Sequence, residues 1–560
     1  MSEQEAKKIF DSAIKYYNDK NYSLAEKNFE QALKLVPKRL SILDNLALIY
    51  FINSKYEKSL ETINELLKLE VKEKKIIDLK FKLLLILGKT KELQKFIDDY
   101  LIKNTESSKY KIIRNLIYPN FFDDQKQIDE FRTEFIKSLD KVKDFKNTRL
   151  KIDNEMIDPP IFSLSYDQYE NIDINKKIVE VFRKIYPELN QSFLHSQKNQ
   201  KIKIGFISEF FYNHTISKLF KGIILNLNRD KFDIAVFHTE KTKRDSWLDE
   251  FLHSEIKSNI KNFILPKKIN DKIKLIINQN LDIVFYPDIG MSTELYFLSF
   301  IRFAKIQITS WGHPITTGNN SIDYFFSSKL IEKKDSQKFY SEKLLLSNYL
   351  PMYFYEPKIS KKLSDNEIVN KNLYFCSQSL IKIHPHFDQI LKMILEKDKK
   401  AKIFFIRDKE NILAIKLQKR FKKNIPLNYE RIKFLDRMNN DEYIDFCGKS
   451  SVLLDTLYFG AGNSFHESMI YGTPTITMPK DTLKSRIVLG AYKQMKIDDP
   501  PVVDNIDAYV EKAVELANLD EKKMIDMKKY YSNNAKKYLY ENKNFLIEFE
   551  NILLEIYSPK

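Results

Sequence analysis

Three glycines and a glutamate that could bind a phosphorylated sugar lie close together near the end of the chain. The segment DTLYFGAGNSFHESMIYGTPTITMP (455–479) contains Gly460, Gly462 and Gly472, although the whole chain has only 11 glycines. A glycine turn that leads into a helix lets the backbone approach a ligand and presents free N–H groups, which suits a phosphate. Glu467, on the first turn of that helix, could accept hydrogen bonds from a sugar diol. The alternative is a plain βαβ crossover that needs glycine only for its turn.

The elements that must position these residues follow the same segment. The apolar run 451–455 predicts a strand, and 466–471 predicts a helix that Gly472 and Pro474 end. The residues 475–478 predict the next strand. A strand, turn, helix and strand in this order indicate a parallel α/β unit.

Composition limits the function classes. A chain of 560 residues is long enough for two to four domains. Its net charge of +16 comes mostly from lysines spread along the whole chain, so nucleic-acid binding is not favoured. Cys376 and Cys447 are the only cysteines, which excludes a disulfide framework and a cysteine-based zinc site. The N-terminus has no apolar signal region and no apolar run approaches ~18 residues, so we expect a soluble, cytoplasmic protein.

Residues 1–107 predict helical repeats. With a repeat length of ~34 residues counted from Ala6, small, aromatic and proline residues fall at the positions typical of tetratricopeptide repeats. In the first repeat these are Ala13, Tyr16, Ala25, Phe29, Ala32 and Pro37; in the second, Ala47, Tyr50, Ser59, Ile63 and Leu66; and in a degenerate third, Leu84, Leu93 and Ile97. A generic helical bundle is the alternative. Such a short arm could hold a partner peptide or simply cap the next domain.

The rest of the chain predicts two α/β lobes. Residues 108–200 form a helical connector, 201–350 a first Rossmann-like lobe, and 351–535 a second one, before a C-terminal helix over 536–560. In both lobes continuous apolar strands alternate with helices, which is typical of a parallel sheet covered on both faces. The fold class is therefore α/β, with two Rossmann-like domains that face a cleft, as in the GT-B fold, after an α-helical tetratricopeptide-repeat arm. Ligands are expected beyond the carboxyl ends of the strands.

Five motifs in a fixed order resemble one known family. They are GFISEFFYNHTISKLF, YPDIGMSTELYFLSFIRFAKIQITSWGHPITTG with IDYFFSS, CSQSLIKIHPHF, RIKFLDRM, and YFGAGNSFHESMIYGTPTITMPKDTLKSRIVLGAYKQM. From roughly 155 to 540 the chain is similar to the catalytic region of the O-linked N-acetylglucosamine transferase and SPINDLY family, in its bacterial form. That family also carries an N-terminal tetratricopeptide arm. The match to the related cytoplasmic N-glycosyltransferases is less close.

The resemblance implies roles for residues of the second lobe. Lys382 would grip the pyrophosphate of a sugar nucleotide, beside Gln378 and Ser379 on the same turn. An ammonium there could neutralise the charge that builds on the leaving diphosphate. The helix start at Gly462, Asn463 and Ser464 would donate N–H groups to the phosphates, and Glu467 would hold the ribose, where animal enzymes have Asp. Arg437 and Met438 fall where the family holds the edge of the base.

Roles for residues of the first lobe follow from the same resemblance. His214 matches the active-site His of the family and could orient the acceptor hydroxyl or take its proton. It could instead cap the following helix, and the α-phosphate of the donor could accept the proton. Thr316, Thr317 and Gly318 would lie on the turn that faces the sugar, with Asp288 and His313 near them in the sequence. In the second lobe, Arg486 could reach a phosphate or pair with a surface acid.

The function that these features imply is an inverting transfer of a sugar to Ser or Thr hydroxyls of proteins. The expected donor is UDP-N-acetylglucosamine (UDP-GlcNAc), with GDP-fucose as the alternative. We expect no metal and no cofactor, since no convincing Asp-x-Asp turn is present. The expected partners are a nucleotide sugar and a protein acceptor, which the repeat arm could bind, without nucleic acid or a membrane span. A non-catalytic scaffold, or transfer to a small molecule or glycan, would also fit these features.

Overall fold

The computed structural model describes residues 2–71, 73–143, 148–194, 199–253 and 259–558. The chain divides into two compact units, Met1–Phe121 and Phe122–Lys560. Helix Ser108–Leu116, which falls in the predicted connector, therefore belongs to the first unit.

The first unit is helical throughout the part that the structure describes. Its helices are Ser2–Asn18, Tyr22–Leu35, Leu40–Ile52, Tyr56–Lys68, Lys74–Ile86, Thr90–Lys103 and Ser108–Leu116. The small and large residues that define the repeats lie between these helices: Ala13, Ala25, Phe29, Ala32, Ala47, Ser59, Ile63, Leu66, Leu84, Leu93 and Ile97 are fully buried. The Ser59 hydroxyl donates to the Ala47 carbonyl at 2.6 Å, so two helices cross closely where both residues are small. The predicted repeat arm is confirmed.

The second unit begins its α/β part with a seven-stranded sheet. Its strands are β1 (Ile202–Ile207), β2 (Phe232–Thr239), β3 (Ile260–Leu265), β4 (Ile283–Tyr286), β5 (Ile306–Ser310), β6 (Tyr324–Ser328) and β7 (Lys343–Ser347). All pairs are parallel and their order is β3-β2-β1-β4-β5-β6-β7. We call the domain around this sheet the first lobe. The order reverses between β1 and β4, which is where a doubly wound sheet binds its ligand.

A five-stranded parallel sheet forms the second lobe. Its strands are β8 (Leu373–Phe375), β9 (Lys402–Ile406), β10 (Ile432–Leu435), β11 (Val452–Leu454) and β12 (Thr475–Ile476). Their order is β10-β9-β8-β11-β12, so the reversal lies between β8 and β11. The predicted turns with Gln378 and with Gly460 follow these two strands. The predicted arrangement of two Rossmann-like lobes is confirmed.

Helices cover both sheets. In the connector they are Gln125–Lys143, Ile152–Glu155, Ile161–Leu164 and Ile172–Ile185; in the first lobe, Thr215–Asn226, Ser246–Leu252, Ile269–Ile277 and Thr293–Leu298; and in the second, Asp365–Ile368, Phe387–Lys397, Ile412–Asn424, Asn440–Lys449, Asn463–Ser468, Ile487–Gln494, Ile506–Ala517 and Glu521–Asn534. Short 3₁₀ turns, Leu380–Lys382 among them, connect some of these elements. No helix of the described residues is long and apolar enough to cross a membrane.

Several elements differ from the sequence prediction. Strand β3 and helix Ile412–Asn424 were not predicted as such, because polar residues interrupt their apolar pattern. Strands β6 and β7 were not predicted because their apolar runs, Tyr-Phe-Phe and Leu-Leu-Leu, are only three residues long. The helix expected over 466–471 spans Asn463–Ser468 instead, since Gly462 is its N-cap and the regular helix ends before Met469.

The end of the chain packs on the first lobe. After helix Glu521–Asn534 a π-helical segment (Ala535–Leu539) leads into helix Lys543–Tyr557. There the Phe549 ring lies 5.8 Å from that of Phe285 and 5.1 Å from that of Phe326, between ring centroids. The last helix therefore completes the core of the first sheet, although the preceding helix belongs to the second lobe.

Replacing Phe549 by Ala tests this packing. The ring is fully buried, so we expect a loss of roughly 3–5 kcal/mol in the free energy of unfolding. Ile547→Ala on the same helix is the matched control, because Ile547 is 60% exposed and should change stability by less than about 0.5 kcal/mol. Urea unfolding followed by tryptophan fluorescence measures both. Equal stability of the two variants would contradict the packing role.

Candidate active site

A cavity of about 320 Å³ lies between the two lobes, at the carboxyl ends of their central strands. The first lobe contributes Thr215, Lys218, Leu219, Trp311, Gly312 and Pro314. The second lobe contributes Ser377, Gln378, Ser379, Lys382, Asn440, Phe459, Gly460, Gly462, Asn463, Ser464, Glu467 and Ile487. Seven of the thirteen predicted site residues line it, and all seven belong to the second lobe.

Lys382 holds an ammonium group in this cavity without a carboxylate partner. Its Nζ donates to Gln378 Oε1 at 3.1 Å and to the Gly460 carbonyl at 2.9 Å, and it lies 4.6 Å from the centroid of the Phe459 ring. No carboxylate of the described residues lies within 4.0 Å of it. Desolvation lowers the pKa of Lys382 to about 8, although the Asp455 carboxylate opposes this shift. The two neutral acceptors use two of the three N–H groups of the ammonium, which leaves the third for an anion.

The backbone beside Lys382 is held by Asp455, which is buried at the end of β11. We call residues 455–462 the glycine loop. Asp455 accepts hydrogen bonds from the Ala461 N–H at 2.6 Å and from the Thr477 hydroxyl at 2.7 Å. A Cβ on Gly460 would lie 2.9 Å from an Asp455 carboxylate oxygen, so only glycine fits there. A Cβ on Gly462 would meet nothing within 4 Å, because this residue borders the open cavity.

The helix after the glycine loop offers polar groups to the cavity. Asn463 and Ser464 are its first residues, so their backbone N–H groups have no acceptor within the helix. Asn463 Oδ1 is buried and has no hydrogen-bond partner among the described residues. Ser464 accepts from Gln378 Nε2 at 2.8 Å, and this bond joins the helix start to the turn that carries Lys382. A buried oxygen without a partner at a cavity wall is suited to a ligand.

Glu467 forms an ion pair across the cleft. Its Oε1 accepts from Lys218 Nζ, and Lys218 also donates to Asn440 Oδ1 at 3.2 Å. The three side chains come from three helices, one in the first lobe and two in the second. The carboxylate at the cavity wall is therefore already paired with a lysine.

His214 is the N-cap of helix Thr215–Asn226 and does not line the cavity itself. Its Nδ1 accepts a hydrogen bond from the backbone N–H of Ile216 at 3.3 Å, which is the helix-capping role predicted as the alternative. The His214 ring also stacks on the Phe210 ring. Burial, helped by Lys243 and Lys218, lowers the pKa of His214 to about 4, so the ring is neutral near pH 7. With Nδ1 accepting, the neutral ring carries its proton on Nε2. This geometry favours a role in orienting a ligand over a role as a base.

Thr316, Thr317 and Gly318, which were expected to face the sugar, do not line the cavity. Both threonine hydroxyls donate to the buried carboxylate of Glu342, and the Thr317 N–H does so as well, at 2.8 Å. Gly318 has a φ of +70°, and a Cβ on it would lie 2.5 Å from the backbone of Asn175 in the connector. These residues fix the turn that follows Trp311 and Pro314 rather than forming the cavity wall.

Three residues that were expected to contact the base or a phosphate also lie outside the cavity. They are Arg437, Met438 and Arg486. Arg437 is exposed, and neither it nor Met438 lines the cavity; Asn440, two residues further on, does so. Arg486 reaches neither the cavity nor a surface acid, because Nε donates to the Ile331 carbonyl at 2.6 Å and Nη1 to the Lys480 carbonyl at 3.0 Å. It joins the two lobes through backbone contacts.

The connector also reaches the site. The Tyr166 ring lies 4.8 Å from Phe459, the ring beneath Lys382, and Phe162 stacks on the buried His313. Lys484 anchors this segment, since its buried Nζ donates to the carbonyls of Ser165, Asp167 and Tyr169 at 2.9, 2.7 and 3.2 Å. Residues 161–171 therefore support the cavity wall. Asp288 is buried like His313, and neither lines the cavity.

Sequence reasoning missed Lys218, Asn440, Trp311 and Phe459. Lys218 had a usable signal, because it lies four residues after His214 on the same helix face. Trp311 and Phe459 lie inside the motifs that carry the family resemblance, which assigned no role to either residue. Within the described ranges, no group of three or more His, Cys, Asp or Glu side chains could hold a metal ion.

Comparison with known proteins agrees with this geometry. Residues 174–364 match the model of glycosyl transferase family 41. The match covers about a third of the chain. The chain is 24% identical over 344 residues to the probable UDP-N-acetylglucosamine–peptide N-acetylglucosaminyltransferase SEC of Arabidopsis thaliana, a match that covers 57% of this chain and 33% of SEC.

Further relatives are bacterial as well as plant proteins. A UDP-glucose:protein N-beta-glucosyltransferase of Actinobacillus pleuropneumoniae is 21% identical over 415 residues, 71% of this chain and 64% of the relative. The probable SPINDLY transferase of Solanum lycopersicum is 22% identical over 352 residues, 60% of this chain and 36% of the relative. The matches thus span between one third and two thirds of the length of these relatives.

A solved structure shares the whole fold. The O-GlcNAc transferase mutant from Thermobaculum terrenum superposes with a TM-score of 0.71 over 100% of this chain and 98% of that chain, at 13% sequence identity. At this identity the similarity shows the fold, which is a helical arm followed by two parallel-sheet lobes.

The two glycines of the glycine loop should respond differently to alanine. Gly460→Ala should lower the free energy of unfolding by about 1–3 kcal/mol, because Asp455 is held by two hydrogen bonds and cannot move aside. Gly462→Ala should leave the melting temperature within a degree or two, because its methyl meets open space at the border of the cavity. Thermal unfolding of the two variants measures the difference, and the reverse pattern would contradict the loop assignment.

Proposed function

We propose that this chain is an inverting glycosyltransferase that moves a sugar from a nucleoside diphosphate to a protein hydroxyl. The observation that carries the proposal is the Lys382 ammonium, which contacts only neutral acceptors among the described residues, in a cavity between two Rossmann-like lobes. The match of residues 174–364 to the family model, the names of the relatives and the N–H groups at the start of helix Asn463–Ser468 support it.

Charge neutralisation is the main task in this chemistry. When the bond between the anomeric carbon and the diphosphate breaks, negative charge accumulates on the leaving diphosphate. The third N–H of Lys382 and the first N–H groups of the helix would meet that charge in a partly desolvated cleft, where such contacts are strong. Asn463 Oδ1 remains available for a hydroxyl or amide donor of the substrate.

Direct displacement by the acceptor fits the side chains of the cavity. Glu467 is the one carboxylate among the lining residues that the structure describes, and Lys218 already engages it. An enzyme nucleophile for a two-step retaining reaction is therefore not available there. His214, with its proton on Nε2, is suited to donate a hydrogen bond to the substrate, which leaves the donor's own α-phosphate as the acceptor of the hydroxyl proton.

The donor we propose is UDP-GlcNAc. Relatives named for UDP-N-acetylglucosamine and for UDP-glucose both match this chain, so a uridine nucleotide is the part that they share. GDP-fucose remains the alternative donor. The slow hydrolysis of each of these sugar nucleotides by the purified chain, without acceptor, identifies the donor.

The acceptor is proposed to be a protein, and the helical arm is suited to bind one. Metal independence, the absence of a cofactor and a cytoplasmic location remain predictions. A non-catalytic scaffold is the competing function. Stabilisation of the chain by UDP or GDP in a thermal-shift panel, together with donor hydrolysis, supports the enzyme, whereas neither response supports the scaffold.

Lys382→Met should abolish transfer while the fold is kept. We expect turnover to fall by about 10²–10³-fold, because a charged donor to the leaving group is lost. The melting temperature should not fall, since methionine keeps the aliphatic stem and removes a desolvated charge. Lys392→Met, at an exposed site on helix Phe387–Lys397, is the control. Near-normal donor hydrolysis by Lys382→Met would defeat the phosphate assignment.

UDP affinity should depend on pH through Lys382. The free ammonium loses its proton as the pH rises through about 8, and diphosphate binding requires the charged form. We therefore expect the dissociation constant of UDP to rise about tenfold between pH 7 and pH 9. Calorimetric titrations of wild type and Lys382→Met provide the comparison, and the variant should show a flat profile over the same range. An equal slope in both proteins would assign the titration to another group.

A further inference from the structure

The cavity contains two lysines with different surroundings. Lys382 has neutral partners only, among the residues that the structure describes, whereas Lys218 pairs with Glu467 and with Asn440. Both members of the ion pair are largely buried, with side chains 18% and 9% exposed. An ammonium already neutralised by a carboxylate is a poor phosphate ligand, so the two lysines are suited to different tasks.

The pair leaves part of Glu467 open. Lys218 contacts Oε1, and among the described residues we find no hydrogen-bond donor to Oε2. A carboxylate has about four lone-pair sites, so a diol can bind while the lysine stays in place. An unpaired carboxylate in so enclosed a site would be costly, so the lysine is the group that pairs with Glu467 and orients it.

The contact also joins the two lobes. Lys218 lies on helix Thr215–Asn226, the helix that His214 caps, and Glu467 lies on the helix after the glycine loop. The part of the second lobe that would contact a nucleoside is therefore oriented by a side chain of the first lobe.

We propose that Lys218 is a positioning residue for nucleoside recognition, which holds Glu467 so that its free oxygen binds the ribose diol. This inference rests on the proposed function, because it assigns Glu467 to the ribose of a nucleoside diphosphate. Lys218 then acts on the diol contact and leaves the phosphate contacts to Lys382.

A second ion pair between the lobes provides the matched control. Lys333 of the first lobe pairs with Asp481 of the second, outside the cavity and with side chains 41% and 72% exposed. Lys333→Met removes one lysine–carboxylate bridge between the lobes, just as Lys218→Met does, but it leaves Glu467 untouched. Any effect of lobe attachment alone should appear in both variants.

The experiment compares UDP with 2′,3′-dideoxy-UDP, which lacks the diol but keeps the phosphates. Calorimetry on the full chain should show that wild type and Lys333→Met bind UDP at least tenfold more tightly than the dideoxy compound. In Lys218→Met this ratio should fall to about one, chiefly through weaker UDP binding. Glu467→Gln, and the double variant that combines it with Lys218→Met, should show the same ratio as Lys218→Met alone. Lys218→Arg should recover part of the discrimination between the two nucleotides.

Each other outcome has a defined meaning. Equal weakening of both nucleotides in Lys218→Met would make Lys218 a phosphate ligand and overturn the inference, as would an unchanged ratio. If Lys218→Met does not fold, Glu467→Gln and Lys218→Arg decide the question by the same ratio. If wild type binds neither UDP nor GDP, the proposed function fails; if it prefers GDP, the same comparison is made with GDP and its dideoxy form.

Discussion

The structure of the cleft depends on one constraint, which is that an ammonium must stay charged in a partly desolvated site without a carboxylate beside it. Lys382 meets this constraint with an amide oxygen, a backbone carbonyl and an aromatic face. The carbonyl belongs to Gly460, and the position of Gly460 depends in turn on the buried Asp455. The glycine loop, β11 and the Lys382 turn therefore form one connected polar unit, which the connector supports through Phe459.

The two lobes contribute unequally to this site. The second lobe supplies the Lys382 ammonium, the helix start and the carboxylate, whereas the first supplies Lys218 and Trp311, with His214 as the cap of the helix that carries Lys218. The Lys218–Glu467 pair and the hydrogen bond from Arg486 to the Ile331 carbonyl both join the lobes. Among the described residues that line the cleft, the charges are balanced except at Lys382, and this imbalance selects for an anion.

Much of the fold followed from local pattern. The α/β alternation, the two lobes and the small residues of the repeat arm are periodic features, and the structure has them where the sequence predicted them. Strand β3 lacks that regularity, and the apolar runs of β6 and β7 are only three residues long, so pairing with their neighbours in the sheet reveals all three. Seven second-lobe residues that line the cavity could be placed from the resemblance to a known family, because they lie on one turn and one helix start, whereas Asn440 and Phe459 could not. Thr316 and Thr317 could not, since only tertiary contact with Glu342 shows where their hydroxyls point.

A crystal structure of the chain with UDP tests the central claim most directly. The account predicts that the diphosphate lies in the cleft, with a phosphate oxygen about 2.7–3.2 Å from Lys382 Nζ and within reach of the Asn463 N–H. A nucleotide bound elsewhere, or a diphosphate in the cleft more than about 5 Å from Lys382 while its Nζ keeps only Gln378 and Gly460, would contradict it.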